Sequence, residues 1–411
     1  MNEMALLGTG ASAEAGVPTA TEMTVQLVRY LNDEAPLIMP VTKKIINFVA
    51  GGLLFRTGDV GGNPIDSGID IEDMLNAVNL LAERRSLEVS PFVNTWNSTL
   101  EQLDKIDPPG VDISKIMESL QDLIDANEGG AGGGERKITP EVSLQISRKL
   151  SKALRTQQST QGNGEHFRRT ADIMAMALAI FVFVRDTEKA AYLAPLVGFG
   201  ANRDRFVIAF LNYDNLIELV AESIGITCNT GIEGWSESGQ FNLGPSGLHL
   251  IKLHGSIDWR RAEMYRAKDQ KMPYLGIRRH GPPSLFRARQ RGTTELPAIL
   301  FGQRNKLTAE GPFLDMLRAF QSELDASDAL TVIGYSFRDL HINTYISNWL
   351  NRSRENRLTV VDKYIEESKV QYVGLLKEFS YSHPEQVKLM AVSASEGIAK
   401  LYPNAASKTQ V

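Results

Sequence analysis

A few short stretches, each closing an apolar run, hold the residues of this 411-residue chain whose types and spacing suit them to chemistry. In IKLHGSIDW, His254 follows directly on Leu253, and Gly255 is expected to leave room for a ligand beside the ring. An imidazole there can take a proton from a sugar hydroxyl or a water near neutral pH, as a general base must. In FLNYDNLIE, the Asn212 amide can both donate to and accept from ribose hydroxyls or a water, while Asp214 either holds that amide or caps the helix beginning LIELVAE. LLGTGASAEAGVP reads as a glycine-rich phosphate loop. Gly8 and Gly10 permit a tight turn and close backbone approach, and Ala11 to Ala15 can start a helix whose free amides face an anion such as a diphosphate. Pro18 stiffens the end of the loop, and Thr19 or Thr21 can cap a helix running from about Glu22 to Leu31.

Two later strand ends complete the set. Gly334, Tyr335 and Ser336 in VIGYSFRD are placed to contact ribose or phosphate, or to make a plain turn. Asp362, closing TVVD, either binds adenosine ribose hydroxyls or pairs with Lys363 or a nearby Arg at the surface. Gly8, Gly10 and Ala13 fit a relaxed dinucleotide fingerprint, but no acidic strand end follows about 20 residues later, and Asp33 lies in a helical context instead. That weakens the ordinary dehydrogenase reading.

The elements that must position these residues are strands ending near Gly8, Asn212, His254, Ser336 and Asp362, with a further candidate in VKLMAV. None alternates polar with apolar residues, the pattern expected of parallel strands covered on both faces. If these strands share one sheet, loop, amide and imidazole meet at its carboxyl edge, where α/β folds bind ligands. The expected fold is therefore α/β, a Rossmann-like parallel sheet. From about Ile65 to Leu196 the periodicity turns helical, which predicts a large all-helical insertion, residues 61–196, within a nucleotide-binding domain made of residues 1–60 and 197–411. The segment EGGAGGGE inside it has too little side chain to pack and reads as a linker, with TQQSTQGNGE a second loop. The longest apolar run, ADIMAMALAIFVFV, is shorter than the roughly 20 residues of a membrane helix and is bounded by Arg168, Arg169, Arg185 and Asp186, so a buried helix is expected.

Composition narrows the function classes. Acidic residues number 49 and basic ones 44, giving a net charge of −5 without long blocks of either sign, which argues against a direct nucleic-acid surface. Cys228 is the only cysteine, so the chain can build neither an internal disulfide nor a four-thiolate zinc site, and no metal is expected. The amino-terminal segment turns glycine-rich too soon for a signal sequence, and a cytoplasmic setting fits.

Taken in order, GTGAS, GVP, LNYDN, KLHG and GYSFRD resemble the Sir2 (sirtuin) superfamily, in particular the bacterial Sir2-like proteins of phage defence. The likeness covers residues 4–19 and about 205–364 and skips the helical insertion. It implies a Sir2-type Rossmann domain that takes NAD as substrate and breaks its nicotinamide–ribose bond. Asn212 and His254 stand in the positions of the family's catalytic pair, and Gly8, Gly10, Ala11 and Ser12 match its phosphate loop. Two departures stand out: the cysteine pairs of the deacylases' zinc-ribbon module are absent, and the family's Asp-Phe-Arg after Gly-x-Pro is replaced by Thr19, Ala20 and Thr21. The resemblance thus favours the defence branch, whose members hydrolyse NAD to nicotinamide and ADP-ribose, and some of which stand beside a HerA-like ATPase. It implies a homo-oligomer controlled by assembly. The alternatives are an NAD-dependent deacylase and a non-catalytic subunit that binds NAD or ADP-ribose.

Overall fold

A computed structural model describes residues 2–29, 40–61, 68–84, 100, 102, 164–264, 274–279, 297–300, 312–365 and 372–403. Asp33, the EGGAGGGE segment, residues 156–163 of the second loop and the expected helices at 113–127 and 139–157 lie outside the described residues.

The apolar runs form strands. In chain order these are β1 (Glu3–Leu7), β2 (Arg205–Phe210), β3 (Cys228–Asn229), β4 (Gly247–Lys252), β5 (Gly255–Met264), β6 (Tyr274–Arg279), β7 (Pro297–Ile299), β8 (Ala329–Ile333), β9 (Arg357–Val361) and β10 (Val387–Met390). Seven of them make one sheet in the order β10-β9-β8-β1-β2-β4-β3, and every pairing in it is parallel. The fold is the expected Rossmann-like α/β type. β1 sits at the switch point, with β2 on one side and β8 on the other, which is where such sheets open a crevice beyond their carboxyl ends.

Register levels those ends. Leu7 pairs with both Phe210 and Ile333, Phe210 pairs with Lys252, and Ile333 pairs with Val361. The glycine loop, Asn212, His254, Gly334 and Asp362 therefore leave the sheet from one row. Burial explains the missing polar alternation. Met4, Leu6, Val207, Ile251, Val332 and Val360 join a core with Phe320, Ile346 and Trp349 of the helices Phe313–Asp325 and Leu340–Arg352. Ala5, Leu7, Ile208, Phe210 and Leu250, which point to the opposite face by the period-two pleat, are fully buried as well.

β5, β6 and β7 form a separate antiparallel sheet that the sequence pattern did not announce. β5 starts at Gly255, immediately after His254. The φ of Gly255 is +85°, and a Cβ there would lie 2.1 Å from the Ala298 carbonyl oxygen. The glycine is thus demanded by the approach of β7 and does not leave space for a ligand.

The chain divides into two compact units. The first, Met1–Thr19 with Ala179–His280 and Pro297–Val411, carries the parallel sheet and every candidate site residue. The second, Ala20–Leu178 with Gly281–Leu296, is helical in its described residues. Its helices Ala20–Arg29, Pro40–Asp59 and Ile71–Glu83 pack on one another. Asp70 caps the third by accepting from the Glu72 amide at 2.8 Å. The apolar run near Ala171 is a helix, Glu165–Val182, with Met174, Leu178, Ala179 and Val182 buried. No helix among the described residues is long and apolar enough to cross a membrane.

Candidate active site

The glycine loop leaves β1 into a helix of only five residues, Thr9–Ala13. Its backbone amides are largely engaged: Gly8 donates to Ile333 O at 2.9 Å, Gly10 to Gly334 O at 2.8 Å and Ala11 to Gly8 O at 2.9 Å. The helix is short, and these three amides are engaged within the protein. The glycines serve a close crossing of two chain segments. A Cβ on Gly8 would sit 2.6 Å from Gly334 O, one on Gly10 2.8 Å from the Gly334 Cα, and one on Gly334 (φ +62°) 2.2 Å from the Ala11 nitrogen. Ala11 is fully buried and its carbonyl accepts a hydrogen bond from the Tyr192 hydroxyl. Farther along, Pro18 is buried and Thr19 exposed, while the next helix starts at Ala20, two residues earlier than expected.

Asn212 lies just past β2 and is 4% exposed. Its Nδ2 donates to Gly8 O at 2.8 Å and to Ser12 Oγ at 2.7 Å. A carbonyl oxygen only accepts, so this bond fixes which end of the amide faces the loop. Oδ1 is left buried with no hydrogen-bond partner among the described residues. An orphaned acceptor of this kind ordinarily costs about 1–3 kcal/mol, a cost that a ligand hydroxyl or water would remove.

Asp214 is fully buried, and its Oδ1 accepts from the Leu216 amide at 3.1 Å, the capping role weighed from sequence. Burial pushes its carboxyl up to about 6, against the opposing pull of the Lys252 ammonium and the Ser12 hydroxyl. Lys252, the last residue of β4, is itself fully buried. Its Nζ donates to Asp214 O at 2.5 Å and to Glu218 Oε1 at 2.8 Å. Nothing in the sequence marked this lysine, because a buried ammonium becomes visible only once its carboxylate partner is placed. Tyr192 stands nearby, its phenol pushed up by burial and by the Asp214 charge.

His254 is 6% exposed. Nδ1 lies 2.8 Å from Leu211 O, so the proton is on Nδ1 in that bond, and Nε2 lies 3.3 Å from Asp339 Oδ2. Leu211 immediately precedes Asn212, so the imidazole is anchored on the backbone next to the residue that carries the amide. Asp339, the last residue of GYSFRD, is not singled out by the sequence. Its Oδ1 caps the helix Leu340–Arg352 through the His341 and Ile342 amides at 3.0 and 3.4 Å.

The segment from Gly334 to Asp339 closes the circuit. Tyr335 turns its side chain inward, where its hydroxyl accepts from the Asp339 amide at 3.1 Å and donates to Asn343 Oδ1 at 3.1 Å. Asn343 Nδ2 donates to Phe337 O at 2.7 Å, holding Phe337 at a φ of +54°, a left-handed conformation that a bulky residue adopts only under constraint. Ser336 is half-buried in this loop. Hydrogen bonds and backbone contacts thus run from the glycine loop through Asn212, Leu211, His254, Asp339 and Tyr335 back to Gly334. Asp362 lies farther along the same edge, at the end of β9, where its Oδ1 accepts from the Tyr364 amide at 2.8 Å. No group of three or more His, Cys, Asp or Glu residues among the described ones could hold a metal ion.

Residues 207–375 match the family model of the SIR2-like domain. No curated protein matches the chain. Among solved structures, a Sir2 homologue in complex with NAD is 12% identical over 60% of this chain and 76% of that one, with a TM-score of 0.36. A Sir2 bound to an inhibitor, 2′-O-acetyl-ADP-ribose and a deacetylated peptide is 9% identical over 97% of this chain and 92% of that one, with a TM-score of 0.32. These are distant likenesses.

Proposed function

We propose that this chain, a member of the Sir2 superfamily through its SIR2-like domain at residues 207–375, is an NAD hydrolase. Water adds to the ribose carbon as its bond to nicotinamide breaks, giving nicotinamide, ADP-ribose and a proton. The observation that carries the reading is the buried Asn212 amide. Its donor end is locked on the glycine loop, its acceptor end has no partner among the described residues, and the carbonyl of the residue before it holds the His254 imidazole.

In this reading Asn212 Oδ1 accepts from a ribose hydroxyl or from the attacking water and thereby orients it. His254 takes the released proton at Nε2, since Nδ1 is held by Leu211 O. Gly334 and Ser336 line the diphosphate and adenosine side with the glycine loop, and Asp362 accepts from the adenosine ribose hydroxyls. An NAD hydrolase active at all times would drain its host, so we further propose that turnover is controlled by assembly. The helical module at 61–196 forms contacts between identical subunits in the cytoplasm, a HerA-like ATPase serves as partner, and loss of NAD is the antiphage response.

The test is release of nicotinamide from NAD, followed by chromatography, by the chain alone and with the ATPase that its gene neighbourhood encodes. Asn212→Ala and His254→Ala should each lower the rate by about a hundredfold to ten-thousandfold. Undiminished turnover in either variant contradicts the assignment, and tight NAD binding without turnover in every assembly state makes the chain a binding subunit instead.

A further inference from the structure

We propose that Asp339 is a positioning residue of this site, its carboxylate set to hold the His254 ring by Nε2 once that nitrogen takes the proton, while the Leu211 carbonyl holds Nδ1. The inference rests on the hydrolase reading for its catalytic meaning. Its geometry stands by itself.

Both anchors are rigid. The Leu211 amide donates to Leu7 O at 3.0 Å, which ties the Nδ1 acceptor to β1. Asp339 is held by its Oδ1 in the helix cap and by its amide on the Tyr335 hydroxyl, and its Oδ2 faces the imidazole. Both side chains are 7% exposed, so water screens the contact little. The other ring against His254, Tyr213 at a centroid distance of 6.3 Å, is neutral and donates its hydroxyl to Leu300 O. Asp339 thus sets a carboxylate against Nε2 of the ring.

A carbonyl and a carboxylate both only accept hydrogen bonds. The surroundings of His254 therefore fit a ring carrying hydrogen on both nitrogens, the state it reaches after taking the proton from water. The Nε2–Oδ2 separation of 3.3 Å exceeds the roughly 2.7–2.9 Å of a charge-assisted bond, so the contact has room to tighten as that proton arrives. An interaction that strengthens along the reaction raises the rate without tightening substrate binding.

Asp339→Asn separates this role from helix capping, because Asn caps as well as Asp. In the full chain with its assembly partner, kcat for nicotinamide release should fall about tenfold to a hundredfold, part of what a positioned acid–base group contributes, with KM and the melting temperature unchanged. A second readout needs no turnover. In ring-15N-histidine protein, with the His254 signals identified by their loss in His254→Gln, Asp339→Asn should shift Nε2 and leave Nδ1 in place. An unchanged kcat, a change in KM alone, or an unmoved Nε2 signal would each overturn the proposal. A wild type that releases no nicotinamide sinks the hydrolase reading, while the ring spectrum still decides whether Asp339 holds His254.

Discussion

Asp214→Asn should stabilise the protein at neutral pH, against the usual expectation for a buried, hydrogen-bonded carboxylate. Burial raises this carboxyl from 3.8 to about 6, which corresponds to about 3 kcal/mol of preference for the neutral form in the folded state. The sign follows from linkage. A carboxyl whose folded value lies above its unfolded one contributes its full stability at low pH and loses it as pH rises through about 6. At pH 8 the wild type therefore bears a cost that it does not bear at pH 3.5. The Asn variant keeps an acceptor for the Leu216 amide and leaves Lys252 opposite the single carboxylate of Glu218. It should gain up to about 3 kcal/mol at pH 8, about 6–12 °C in melting temperature for a unit of this size, and the gain should vanish near pH 3.5. Calorimetric or circular-dichroism melts of both proteins across that range decide the matter. A variant less stable than wild type at pH 8, or a difference that does not change with pH, would show that Lys252 and Ser12 outweigh burial. Retention of a destabilising charge beside Asn212 is the mark of a residue kept for its site and not for the fold.

Lys252→Met leaves the Glu218 and Asp214 carboxylates without their buried cation and should destabilise the chain by about 3–5 kcal/mol in urea unfolding, with part of the loss recovered when Glu218→Gln is added; full stability in the single variant contradicts the arrangement. Gly334→Ala forces a side chain onto the Ala11 nitrogen at a φ of +62° and should cost about 2–5 kcal/mol, read as a lowered melting temperature; a melt matching wild type would mean that the crossing with the glycine loop is loose.

The parallel sheet was legible because its strands are buried on both faces and so read as unbroken apolar runs. Leu7, Phe210, Lys252, Ile333, Val361 and Met390 end strands within a few residues of where those runs stop. β3, two residues long, has no period to detect. β5 was hidden by its polar residues, since Ser256, Asp258 and Arg260 are buried beside Ile257 and Trp259, which erases the polar-out pattern of an ordinary antiparallel strand.

The site was legible in its residue types and less so in its reasons. Gly8 and Gly10 announce close approach, but only the fold shows that the approaching atoms belong to Gly334 and Tyr335, and that Gly255, read as room for a ligand, answers to Ala298. The Asn212 amide and the His254 imidazole could be placed at strand ends, whereas their fixed orientations depend on Gly8, Ser12, Leu211 and Asp339, which the chain brings in from three separate segments. Asp339 and Lys252 act through partners far away in sequence, and no local pattern encodes such a pairing.

A structure of the chain with bound ADP-ribose tests the central claim most directly. The account predicts that the terminal ribose lies within hydrogen-bond distance of Asn212 Oδ1 and His254 Nε2, with the diphosphate beside the crossing of Gly8, Gly10 and Gly334. ADP-ribose bound elsewhere, with the Asn212 oxygen still unpartnered, would contradict it.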